Sequence, residues 1–134
     1  QLKNKERLVT NEQEVLQILR DHIEKRGMGE ELLIYDHRNY TQQESVRLFN
    51  SARAVIGPHG GAMYNSFFCP PGTLIIEFHA LNKYQVDMQR MIPYHVSNFL
   101  QHNYFFVPHN TNRNIRVDLE SLSTILNKQL PITL

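Results

Sequence analysis

Helical and strand-like apolar patterns alternate along this 134-residue sequence, which predicts a Rossmann-like three-layer α/β/α domain with a mainly parallel sheet. Three of the four strand-length runs are nearly continuous in apolar residues, without period-two alternation, as expected for strands covered on both faces. A glycine-rich loop joins one of these runs to the next helix-like segment. Open α/β sheets bind ligands at such carboxyl-end loops.

The elements follow in order. Val15, Leu16, Ile18, Leu19, His22 and Ile23 keep helical spacing; Thr10 with Gln13 resembles a capping box, and Gly27 and Gly29 mark the end. Leu32-Leu33-Ile34-Tyr35 has the length and content of a strand. Thr41 and Glu44 form a second capping box, opening a helix that turns Val46, Leu48 and Phe49 inward. Ala54-Val55-Ile56 is a buried strand ended by Gly57-Pro58, and residues 62–68 read as a short helix stopped by Pro70-Pro71-Gly72. Residues 73–78 form the strongest strand pattern. Residues 83–100 read as a helix that Pro93 should kink or divide. Tyr104-Phe105-Phe106-Val107 is the fourth strand, residues 109–114 read as a surface loop, and Asp118 caps a last helix carrying Leu119, Leu122, Ile125 and Leu126. The ligand loops expected from this order are 36–40, 57–65 and 77–83.

Composition narrows the function. One domain spanning 1–134 is expected from the length. Fourteen basic and 13 acidic residues are well mixed, which argues against nucleic-acid or membrane-surface binding. No run reaches the roughly 20 apolar residues of a membrane span, and the N-terminus lacks a signal-peptide pattern. The start at Gln1 leads us to expect a processed protein or a domain of a longer gene. Cys69 is the only cysteine, which excludes an internal disulfide and CxxC zinc sites; its apolar neighbours make it a small buried residue. Asn39-Tyr40-Thr41 is a glycosylation sequon that would matter in the secretory pathway.

In Gly57-Pro58-His59-Gly60-Gly61-Ala62, glycines allow positive φ and close approach of backbone N–H groups to a ligand. The helix that follows would aim its free N–H groups and dipole at the same point, favouring an anion. His59 adds a hydrogen-bond donor, or a positive charge when protonated. The spacing matches neither a Walker A loop nor GxGxxG. A tight strand-to-helix turn with no ligand remains the alternative.

Residues 55–77, Val-Ile-Gly-Pro-His-Gly-Gly-Ala-Met-Tyr-Asn-Ser-Phe-Phe-Cys-Pro-Pro-Gly-Thr-Leu-Ile-Ile-Glu, resemble the signature of glycosyltransferase family 61. The family's strand leads into a His-Gly loop with an Asn, then an apolar helix, Pro-Pro-Gly and a strand ending in Glu. Residues 7–12 resemble the stretch before its first helix. Gly60-Gly61-Ala62 stands for the commoner Gly-Ala-Gly and Met63-Tyr64 for Leu-Thr, so the identity of the sugar is the feature these departures affect.

The resemblance implies an inverting glycosyltransferase of the GT-B type, of which this chain is the C-terminal, donor-binding half, inactive without an N-terminal acceptor domain. The donor is expected to be a nucleotide-sugar, most commonly a UDP-sugar, and the acceptor a glycan or glycoprotein. His59 with the backbone of Gly60 and Gly61 would hold the diphosphate. Asn65 would bind phosphate or fix the loop, and Glu77 would accept from the ribose hydroxyls, the alternatives for Glu77 being a solvated strand-end charge or a brace on the histidine loop. Apart from the resemblance, topology sets Arg38 beside the base or ribose pocket, where it would reach phosphate or lie as an exposed loop arginine. No cofactor or metal is expected, since the chain has no DxD element, and no nucleic-acid or membrane contact by this segment. The general base is not identifiable, with His59 only a secondary candidate. His79, just past Glu77, is a further residue of interest. Localisation is expected in the Golgi or ER lumen for a eukaryotic source and in the cytoplasm otherwise. The alternative is a non-catalytic nucleotide or sugar-phosphate-binding module of the same fold. An unrelated phosphotransfer or hydrolytic enzyme would need a nucleophile beside the loop, and Ser66 lacks a nucleophile-elbow context.

Overall fold

The computed structural model describes residues 8–80, 91–109 and 114–132. The chain runs through β1 (Leu8–Val9), α1 (Glu12–Arg26), a 3-10 turn (His37–Asn39), α2 (Gln42–Asn50), β2 (Ala54–Pro58), a 3-10 helix (Gly61–Phe68), β3 (Leu74–Ala80), α3 (Ile92–Phe99), β4 (Asn103–His109), β5 (Asn114–Ile115) and α4 (Leu119–Gln129). The order β2-β3-β4 forms one wholly parallel sheet, and β1 pairs in parallel with β5. This is the Rossmann-like α/β architecture expected from the apolar runs.

The central strand shows why those runs are continuous. Leu74, Ile76 and Phe78 point into a core with Val15 and Leu19 of α1 and Leu122 and Leu126 of α4. Ile75, between them, points to the opposite face, against Phe49 of α2, Met63 of the 3-10 helix and Cys69. Both faces are covered, so both sets of alternating side chains must be apolar. Glu77 and His79 follow Ile75 on the same face by the period of two, so this row changes from apolar to polar toward the strand's carboxyl end.

Several local signals act as expected. Thr41 Oγ1 accepts from the Glu44 N–H at 3.1 Å while Glu44 Oε2 accepts from the Thr41 N–H at 2.7 Å, a complete capping box. Asp118 Oδ1 accepts from the N–H groups of Glu120 and Ser121. Gly27 ends α1 in the left-handed region at φ 59°. Cys69 is buried, which pushes its thiol pKa up to about 11.

Four expectations are corrected. Thr10 does not cap α1. Its Oγ1 and N–H both donate to the Ile115 carbonyl, and the cap position is Asn11, whose side chain makes no cap bond. Asn11 instead donates Nδ2–H to the Val117 carbonyl and accepts the Val117 N–H, each at 2.9 Å, acting as an extra rung beyond the β1–β5 pair. Residues 32–35 are not a strand. Leu33 and Ile34 are exposed, Leu32 joins the α1/α4 core and Tyr35 packs edge-on against Phe49, so side-chain anchoring replaces ladder pairing. Pro93 does not kink a longer helix among the described residues; it sits in the first turn of α3, where its missing N–H costs nothing. The expected helical stretch 83–90 lies outside the described residues, as do residues 110–113 of the expected 109–114 loop, whose end, Asn114, belongs to β5.

Candidate functional site

The loop 57–65 lies at the carboxyl end of β2, as the parallel sheet requires. Pro58 pairs with Phe78, and the His59 N–H donates to the Phe78 carbonyl at 2.9 Å, carrying the pairing one residue past the strand. His59 therefore stands beside His79, with ring centroids 4.6 Å apart and the rings tilted at 45°. The Met63 N–H turns back to the Gly60 carbonyl at 3.0 Å and opens the 3-10 helix. The first N–H groups of any helix lack partners within it.

The glycines serve differently from the sequence expectation. Positive φ belongs to Gly27, Gly29 and Gly72, not to this loop; Gly60 is extended at φ 163°. A Cβ built on Gly60 or Gly61 would meet nothing within 4 Å among the described residues. Neither backbone strain nor local packing demands glycine at 60 or 61. What its absence of a side chain supplies is open backbone.

Glu77 is not an exposed strand-end carboxylate. It lies within β3 with no solvent exposure, and both oxygens are engaged. His59 Nδ1 lies 3.1 Å from Oε2, and the Tyr104 hydroxyl donates to Oε1 at 2.8 Å. A carboxylate can only accept here, so it fixes a proton on Nδ1 of His59. Burial, and then the neighbouring Glu77 charge and hydrogen bond, push the Tyr104 phenol far above its ordinary pKa, so it remains a proton donor in this pair. Tyr94 of α3 packs edge-on against the Tyr104 ring at 5.6 Å. The result is a braced histidine whose side chain keeps 12% of its exposure.

The remaining expected residues sit apart from this brace. Asn65 Nδ2 donates to the Ala62 carbonyl at 3.1 Å, holding the first turn of the 3-10 helix. Arg38 forks onto Asp36, Nη2 to Oδ2 at 2.6 Å and Nε to Oδ1 at 2.9 Å, on an exposed turn. That pair holds the Asp36 carboxyl at about 2. Tyr104 is a site residue that motif reading missed, because its partner is 27 residues away and only the register of β3 and β4 brings them together. His79 is buried as well, and one ligand atom each from His59, Glu77 and His79 lie within 4.8 Å of one another.

Open parallel α/β sheets bind ligands beyond the carboxyl ends of their strands, and the histidine-glycine loop lies at that edge. Comparison with known families makes this specific: the profile of Glycosyltransferase 61 matches residues 2–76, just over half of the chain. The chain belongs to glycosyltransferase family 61. No curated protein matches it. The matched region holds the whole glycine loop and stops one residue short of Glu77.

Proposed function

We propose that this chain is the donor-binding half of an inverting GT-B glycosyltransferase, holding a nucleotide-sugar, with UDP as its nucleotide, for transfer to a glycan or glycoprotein. The carrying observation is the pairing of open backbone at Gly60 and Gly61 with a histidine braced by a buried carboxylate. The loop N–H groups supply donors for a diphosphate, joined by Nε2 of His59 when the imidazole carries both protons, and such donors stabilise the charge that develops on the leaving group as the sugar bond breaks. Glu77 acts through His59 in this reading and not on the ribose, because neither of its oxygens faces solvent. Asn65 holds the loop, and Arg38 would have to leave or share Asp36 to meet phosphate. The acceptor and its general base are assigned to a second domain. For a eukaryotic source the proposed compartment is the Golgi or ER lumen, where Asn39, exposed at the end of its turn, would be open to glycosylation.

Titration of the protein with UDP in metal-free buffer should move the amide resonances of Gly60 and Gly61. Gly61→Ala should leave stability within about 0.5 kcal/mol, as for a surface substitution, yet weaken UDP binding. His59→Ala in the full-length enzyme should lower turnover by about 100-fold, the scale of one lost oxyanion donor. Unchanged UDP affinity in Gly61→Ala, or unchanged turnover in His59→Ala, would defeat the assignment. Binding of UDP without any transfer by the full-length protein would favour a non-catalytic module.

A further inference from the structure

We propose that His59, Glu77 and His79 form a binding site for a divalent transition ion of the zinc type. The sequence offers no metal motif, because the three residues come together only through the sheet. Glu77 and His79 are two apart on one face of β3, and the β2–β3 register sets His59 beside His79. One ligand atom from each lies within 4.8 Å of the others. All three side chains are largely withdrawn from water, Glu77 completely.

The donor set selects the ion. Two imidazoles with one carboxylate suit zinc and its neighbours better than magnesium or calcium, which prefer all-oxygen shells. Tetrahedral zinc with bonds of about 2.0 Å sets its ligand atoms about 3.3 Å apart. His59 Nδ1 and Glu77 Oε2 already stand at 3.1 Å, so an ion would take the place of the proton between them. The Tyr104 hydroxyl on Oε1 is the outer-shell bond that ligating carboxylates commonly have, and it orients the oxygen pair. Three protein ligands leave a fourth position for water or an anionic oxygen. This site stands whether or not the donor-binding reading holds.

The test is calorimetric titration of the EDTA-stripped full-length protein with zinc chloride and, separately, magnesium chloride. Zinc should bind with a component that His79→Ala weakens by about 100-fold, and magnesium should not bind there. Zinc-edge X-ray absorption of the wild-type protein should show two imidazole ligands, a readout that holds even where the variant fails to fold. Absence of saturable zinc binding, zinc affinity unaffected by His79→Ala, or a shell with fewer than two imidazoles would each overturn the site.

Discussion

Glu77 is the residue on which the site turns. A carboxylate with no exposure must have its lone pairs satisfied, and here a phenol and an imidazole do so. Glu77→Gln should weaken binding of UDP by about 10-fold or more, the scale of a lost charge-assisted bond, while leaving uridine affinity unchanged. Isothermal titration with the two ligands checks this, and equal losses for both would return Glu77 to a ribose role. The sequence singled out His59 and Glu77 because they sit in rare company with Gly60 and Gly61, and the structure brings the two into contact. A brace on the histidine loop was one of the readings open for Glu77, whereas its complete burial was not legible. Its burial depends on α2, the 3-10 helix and α3 covering that face, and no local pattern carries that information.

At the scale of elements, the end of α3 has a backbone tension that substitution can relieve. His102 N–H reaches the Ser97 carbonyl at 2.8 Å across Gln101, which takes φ 61°, a Schellman ending with a non-glycine residue in the left-handed position. Gln101→Gly should raise stability by about 1 kcal/mol, since that conformation costs L-residues about 1–2 kcal/mol, as read by urea denaturation. Capping carboxylates set a second dependence. Asp118 is lowered first by the Ser121 hydroxyl and then by backbone N–H groups, Glu44 first by the Thr41 N–H, and Asp36 first by the Arg38 side chain. A depressed folded pKa adds stability that is present above the unfolded value and lost as pH falls through the folded one. Melting temperature should therefore drop on acidification, for Asp36 between 3.8 and about 2. The decline should be shallower in Asp118→Asn, which keeps an acceptor at the cap. The Thr41–Glu44 box and the Asp118 cap were legible because a cap is a short-range device. The Thr10 cap misled because that threonine spends its hydroxyl on Ile115, 105 positions away.

For the whole molecule, the parallel α/β order was readable from the alternation of helices and apolar runs, because coverage of both faces leaves its mark in a central strand such as β3, although the similar run 32–35 is not a strand. The β1–β5 pair was not readable, since two-residue strands have no periodicity to detect. Asn11 fastens that pair with two buried bonds to Val117. Asn11→Ala should cost about 2–3 kcal/mol, because the Val117 N–H and carbonyl would be left buried and unmet. Thermal or chemical denaturation measures it, and a loss below about 0.5 kcal/mol, the level of a neutral surface change, would mean water replaces the rung.

That small ladder also bears on kinetics. Its partners are more than a hundred residues apart, so closing it demands the largest loop in the described chain, whereas β2, β3 and β4 follow one another and close small ones. It should zip late in folding and open early under native conditions, with amide exchange at Thr10 and Val117 faster than at Ile75 and Ile76. Because His59, Glu77 and Tyr104 all sit on the other sheet, the protein can breathe at this seam while its histidine stays braced.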